Sequence, residues 1–195
     1  MIKKTAPGFE SQAMRDVAEL IRGRRTIDQY LQTPVPKQLL RDAIEAATWA
    51  PNHHVTEPWR FYLLGPEAIG RCIDLVRDIV TVKKNAKAGE FKAKNWSQKP
   101  GWLVVTCQRS EDERRQREDY AACSAAVQNL MLYLWTAGVG SKWTTGDITR
   151  DPRFEEIAGF DGEQESVVAM IWYGYAKLTP EQKRKDVSEL LVERP

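Results

Sequence analysis

Trp102-Leu103-Val104-Val105-Thr106-Cys107 is the stretch on which the fold turns. It is uncharged, rich in β-branched residues and nearly continuous in apolar character, the pattern of a strand buried on both faces. Val167 to Tyr175 reads as a second buried strand, Arg60 to Leu64 as a short one closed by Gly65-Pro66, and Trp143 as part of a short strand or loop.

Helical spacing fills the intervals. Met14, Val17, Leu20 and Ile21 recur along Gln12 to Gly23, with Gly23 as the stop. Pro36 suits the first position of a helix carrying Leu39, Leu40, Ala43, Ile44 and Ala47, which must end near Pro51. Ile69, Ile73, Val76 and Val80 mark a third helix. Lys83 to Lys99, lysine-rich with Gly89 inside, reads as a mobile segment that partly covers a site. The alternating charges of Glu111 to Asp119 suit a solvated loop or helix start. Tyr120 to Ser141 is uncharged and long enough to cross a bilayer, but Ser124, Gln128, Asn129, Thr136 and two glycines make it a buried core helix ending at Gly138-Val139-Gly140. Asp151-Pro152 opens a last short helix. Helices interleaved with about four strands give an α/β or α+β class.

The 195 residues suit a single domain, with Met1 to Glu10 as an N-terminal extension and residues 176–195 as a C-terminal tail. A net charge of +2, from 29 basic and 27 acidic residues, is too small to select nucleic acid or an anionic membrane as the main partner. Cys72, Cys107 and Cys123 are odd in number and unpaired in spacing, so they read as buried thiols of a reducing, cytoplasmic compartment, and the first ten residues lack the apolar run of a signal peptide.

No metal site is visible, since His53 and His54 are adjacent and no Cys-x-x-Cys occurs. A P-loop, a Gly-x-Gly-x-x-Gly fingerprint and a Gly-x-Ser-x-Gly elbow are equally missing, and no catalytic side chain is assigned. Two basic clusters remain. Arg24-Arg25-Thr26 at a helix end could grip a phosphate through forked, charge-assisted hydrogen bonds, though adjacent arginines also suit a solvated surface, as does Lys183-Arg184-Lys185. Trp49-Ala50-Pro51-Asn52-His53-His54-Val55-Thr56-Glu57-Pro58-Trp59-Arg60-Phe61 gathers aromatics, prolines and both histidines between a helix and a strand. It is either a functional segment or a stiff connection whose Trp49 and Trp59 fill the core.

These motifs in this order resemble the nitroreductase-like flavoproteins. The resemblance begins with Arg24-Arg25-Thr26-Ile27, continues through Pro34-Val35-Pro36, Glu45 to Pro51 and Glu57 to Phe61, and extends to Gly138 to Gly146, the strand ending at Gly174 and the basic tail at Lys183. It is strongest to the short, minimal branch of that family. The resemblance implies a three-layer α/β (α+β) sandwich with a mostly antiparallel sheet, and a homodimer with FMN at each interface site. It implies electron transfer from NAD(P)H to a small acceptor, such as a nitroaromatic or a quinone, by a ping-pong mechanism. The alternatives are other flavin chemistry on the same fold, such as dehalogenation or ring dehydrogenation, and a non-enzymatic flavin-binding protein. Carried over by position, Arg24, Arg25 and Thr26 would meet the phosphate and ribityl chain, with Lys183 and Lys185 as further phosphate partners. Trp49 and His53 would come from the other subunit. Trp143, Thr144 and Thr145 would lie along the cofactor, with Tyr133 beside it. The chain departs from the commoner pattern at Asp28, where a second arginine is usual, and at Val55 and Glu57, where Asn and Gln are usual.

Overall fold

A computed structural model describes residues 11–194; the extension expected over Met1 to Glu10 lies outside the described residues. Four strands form one sheet in the order β1-β2-β4-β3: β1 (Trp59–Leu63), β2 (Gly101–Gln108), β3 (Val139–Thr144) and β4 (Glu165–Tyr175). Every strand pairing is antiparallel, as the family resemblance implies. β2 and β4 are central and therefore have to be apolar on both faces. Alternation divides their side chains: Leu103, Val105, Ala169 and Ile171 face one core cluster, and Trp102, Val104, Met170 and Trp172 face the other.

The first cluster is covered by α2 (Lys37–Thr48) and α5 (Glu113–Thr136). On α5 the buried residues Asp119, Ala122, Cys123, Ala126, Val127, Leu130 and Leu134 repeat at helical spacing and explain why the uncharged run is helical. Asp112 caps it by accepting from the backbone N–H groups of Arg114 and Arg115, so the charge run is mainly the exposed first turns of α5. The helix stops at Thr136, and Gly138, at φ 74°, supplies the left-handed turn into β3. The second cluster lies under α3 (Pro66–Lys83), α4 (Ala86–Trp96) and α6 (Pro152–Ala158).

The expectation for Lys83 to Lys99 is corrected here. Most of the segment is α4, capped by the Asn85 side chain and anchored by buried Ala93 and Trp96. Gly89 does not break it, because a Cβ there would overlap Thr81 and crowd the Arg77 carbonyl; the glycine lets α3 and α4 touch.

The helix α1 (Gln12–Gly23) buries none of its residues, and Met14, Val17 and Ile21 of its apolar stripe are all more than half exposed. Beyond Tyr175 the tail is exposed from Lys177 to Arg194, with Leu190, Leu191 and Val192 open to solvent. All three cysteines are buried free thiols. Among the described residues no helix is long and apolar enough to cross a membrane.

Candidate functional site

β3 is an outer strand, and the chain leaving α1 is stitched along its free edge. The Ile27 N–H donates to the Ser141 carbonyl at 3.0 Å, and Thr26 forms an isolated parallel bridge with Ser141. Gly140 permits the close approach, because any Cβ at that position would overlap the Ile27 side chain. Arg24, Arg25 and Thr26 are thereby fixed beside the start of β3. Thr144 follows about 10 Å further along the strand from Ser141 at the usual rise per residue.

Arg24, Arg25 and Thr26 line a cavity of about 570 Å³ together with Arg22, Gln182 and Arg184. No carboxylate lines it, and no ion pair among the described residues engages any of its four guanidinium groups. Burial, with Arg184 and Arg25 close by, holds the Arg24 guanidinium below its ordinary pKa. The buried Nε atoms of Arg24 and Arg25, and the Oγ of Ser141 next to them, have no hydrogen-bond partner. One edge of Arg25 is used locally: its Nη1 donates to the carbonyls of Arg22 and Arg24, closing the C-terminal end of α1. Half-buried cations without a counter-charge are costly, so the cavity has the chemistry of an anion site whose counter-charge is not supplied by the described residues.

Of the tail cations expected at this cavity, Lys183 and Lys185 do not line it, and Lys185 instead lies 3.9 Å from Glu189. Arg184, between them, is the one that does. In an extended tail neighbouring side chains point apart, and the sequence carries no period from which to choose.

Trp143 and Thr144 point to opposite sides of the sheet. The Trp143 indole packs on the α2–α5 side and donates to the Val168 carbonyl at 3.2 Å, whereas Thr144 and Thr145 line a cleft on the other side. Tyr133 is 38% exposed on α5 and lines neither that cleft nor the arginine cavity.

The turn after α2 is a separate construction. His54, Val55 and Glu57 have φ of 58°, 51° and 43°, a region in which non-glycine residues are uncommon and a β-branched valine is an outlier. Side chains hold it there. Asn52 Oδ1 accepts from the Glu57 N–H at 2.7 Å, Asn52 Nδ2 donates to Thr56 Oγ1 at 2.9 Å, and Thr56 donates to Asp119 Oδ1 at 2.5 Å. Asp119 is 3% exposed and also faces Arg115 Nε at 3.5 Å. Trp49, by contrast, is 83% exposed, and His53 lies at the surface. Trp49 is therefore not a core residue, although Trp59 is. His53 lines a cavity with Thr56, Arg115 and Asp119 that shares no residue with the arginine cavity, so one chain does not bring Trp49 or His53 to Arg24.

The departures from the family pattern acquire roles. Asp28 accepts from Lys142 at 2.8 Å and pairs with buried Lys99 at 3.4 Å, so its charge is spent on lysines rather than on the arginine cavity. The hydrogen bond from Lys142 holds its carboxyl below the ordinary range. Glu57 is the backbone donor that closes the strained turn on Asn52.

The model of the nitroreductase family matches residues 21–175. The chain belongs to the nitroreductase family. It is 36% identical over 173 residues to the Bacillus subtilis (strain 168) protein named "Putative NAD(P)H nitroreductase YfhC", covering 86% of this chain and 88% of that one. Among solved structures, a nitroreductase-like family protein from Bacillus cereus superposes with a TM-score of 0.83 at 29% identity, covering 97% of this chain and 99% of the other. The FMN-dependent nitroreductase NfnB from Mycobacterium smegmatis, solved in complex with NADPH, gives a TM-score of 0.75 over 94% and 100% of the two chains; at 15% identity it supports the fold alone. The family match spans the arginine segment, the strained turn and β3, but ends before Arg184.

Proposed function

We propose that the chain is an FMN-dependent oxidoreductase, working as a homodimer, that takes electrons from NAD(P)H and delivers them in ping-pong order to a small acceptor such as a nitroaromatic or a quinone. The arginine cavity carries this reading. Four guanidinium groups and a threonine hydroxyl without a protein counter-charge match a phosphate, whose oxygens accept forked hydrogen bonds. FMN, when bound, supplies the redox chemistry.

The chain's own residues bind and orient. Arg24, Arg25, Thr26 and Arg184 hold the phosphate, while Lys183 and Lys185 add charge near the mouth. Thr144 and Thr145 present hydroxyls and backbone along the same sheet edge, and Trp143, tied to Val168, stiffens it. Trp49 and His53, exposed on a turn that other side chains hold in shape, complete the site of a second copy. Tyr133 faces the same interface. The exposed apolar stripe of α1 and the exposed leucines and valine of the tail supply surface for that partner. The buried free thiols suit a reducing, cytoplasmic setting.

Mixed dimers test the composite site. Arg24→Ala and His53→Ala chains, each impaired alone, are co-expressed with different tags and the hybrid is selected. One site of the hybrid collects both lesions, and the other is intact. Hybrids are expected to recover roughly half of wild-type flavin binding and activity, given independent sites. Hybrids no better than either parent, with both parents dimeric, would refute the assignment of His53 to the partner's site.

A further inference from the structure

The three cysteines stand in different company. Cys107, near the end of β2, and Cys123, on the buried face of α5, belong to one core cluster, whereas Cys72 on α3 is in the other, which holds no second cysteine among the described residues. Cys123 Sγ lies 3.8 Å from the carbonyl of Thr106, the residue before Cys107, and its S–H also donates to the Cys107 sulfur. Two thiols on facing elements, with their sulfurs in hydrogen-bond contact, form a dithiol. That is a different object from the isolated buried cysteine that serves as a small hydrophobe. The strand side of the pair has latitude, because the pairing of β2 with β4 shifts register between Val105 and Thr106.

The pair is also asymmetric. Gln116, about two turns before Cys123 on α5, is clamped over the end of β2: its Oε1 accepts from the Ser110 N–H at 2.8 Å, and its Nε2 lies 3.6 Å from Cys107 Sγ. Cys107 thus receives an S–H from Cys123 and an N–H from Gln116. These hydrogen bonds, the one from Cys123 foremost, hold its thiol below the ordinary cysteine range against burial and the nearby Asp119 carboxylate. Cys123 moves the other way, because its proton is the one held between the sulfurs, with burial and Asp119 adding to the effect. For Cys72 burial dominates and pushes the thiol up to about 12.

Both sulfurs are fully buried, which closes them to a bulky disulfide and selects a small oxidant such as a peroxide. The thiolate is the attacking form of a cysteine, and a neighbour that keeps its proton is suited to resolve the product. The place of the pair gives its oxidation a structural address. Asp119 stands one turn before Cys123 on α5 and accepts from the Thr56 hydroxyl, so a bond between the two cysteines ties β2 to α5 beneath the anchor of the strained turn.

We propose that Cys107 and Cys123 are a redox modification site, closed by hydrogen peroxide to a reversible disulfide within the chain. The Cys107 thiolate attacks one peroxide oxygen. The O–O bond breaks, a sulfenic acid forms on Cys107, and the departing hydroxide takes up the proton that the thiol gave, leaving as the first water. Cys123 then attacks the same sulfur. The S–S bond forms, the S–O bond breaks, and the Cys123 proton leaves with that oxygen as the second water. Both sulfurs are oxidised, and one peroxide is reduced to two waters. Cys107 is the nucleophile, Cys123 resolves, and Gln116 orients the first sulfur. The proposal does not depend on the flavin, since none of these three residues lines the arginine cavity.

The probe is hydrogen peroxide, added in slight excess to the reduced full-length protein in native buffer; thiols are then counted by maleimide labelling in denaturant and by intact mass. The untreated chain should take a label on each of its three cysteines. The oxidised chain should weigh about 2 Da less before labelling and take a label on Cys72 alone, with peptide mapping showing the Cys107–Cys123 link and dithiothreitol restoring all three labels. In Cys123→Ser a sulfenic acid should accumulate on Cys107 and be trapped by dimedone. In Cys107→Ser the remaining thiols should react at least about tenfold more slowly. The wild-type count decides the matter even where a variant folds poorly. Three labels after peroxide, loss of the Cys72 label as fast as that of Cys107, a link between two chains, or a sulfinic acid on Cys107 beside a free Cys123 would each overturn the proposal.

Discussion

The arginine segment and the turn after α2 are built in opposite ways. Residues 24–27 are fastened through their backbone to the edge of the sheet, while their side chains are left without counter-charges. Residues 52–57 are fastened through side chains to Asp119 on α5, while His54, Val55 and Glu57 are left in left-handed conformations and Trp49 and His53 in solvent. Strained non-glycine residues cost on the order of 1–3 kcal/mol each, and such a cost persists only where the surroundings over-determine it. The first region calls for a counter-charge and the second for a covering surface. Two copies related by a two-fold axis could answer both needs at once.

The largest effect should come from the anchor of the turn. Asp119→Ala leaves the Thr56 hydroxyl without its acceptor and releases the strained backbone, so a loss of about 3 kcal/mol is expected, or about 6–12 °C in Tm for a chain of this size. Asp119→Asn keeps an acceptor and should lose less. A thermal melt of Asp119→Ala within about 1 °C of wild type would show that the turn is held by other means.

Next comes the ligand side of the comparison. Arg24→Ala should weaken FMN binding roughly 10- to 100-fold, the equivalent of about 1.5–3 kcal/mol for a charge-assisted hydrogen bond, and should leave riboflavin much less affected. Arg184→Ala should act in the same sense. Lys183→Ala and Lys185→Ala, which alter only exposed cations outside the cavity, should each change FMN affinity less than about threefold. Equal losses for FMN and riboflavin in Arg24→Ala, measured by fluorescence titration, would remove the phosphate from this cavity.

The same contrast explains how much could be read in the sequence. β2, β4 and α5 were legible because burial on both faces, or along a helical stripe, leaves a period in the residues. The segment beside Gly140 was legible as chemistry, since Arg24-Arg25-Thr26 sits at a helix end, but nothing local said that a missing Cβ lets it reach β3. α4 was hidden because its lysines dominate the composition, while its anchors are only a few residues such as Ala93 and Trp96. Arg184 was hidden by the extended tail. Asp119 was not hidden in principle: it stands three and four residues before buried Ala122 and Cys123, so it belongs to the buried face of α5 and was masked by the charge run it terminates.

The smallest expected effect concerns Asp28, which pairs with Lys142 and Lys99 rather than with the arginine cavity. Its carboxyl is held below the ordinary value of about 3.9 by the hydrogen bond from Lys142, against the opposing effect of partial burial. Because the folded-state pKa is the lower one, the unfolded chain binds the proton first as pH falls. The stabilisation is therefore complete above the unfolded value and disappears as pH drops through the folded value. With the side chain 52% exposed, solvent screening keeps the term small. Asp28→Asn removes the titration. Urea midpoints of wild type and variant should differ by a constant amount from pH 7 to about pH 5 and converge below about pH 4. The offset at neutral pH should also reflect Lys99, which is 4% exposed and would lose its carboxylate partner, keeping only neutral acceptors such as the backbone carbonyl of residue 28 at 2.5 Å. A gap that widened on acidification would mean that Asp28 is destabilising when charged, and that its pairing with Lys142 and Lys99 does not stabilise the fold.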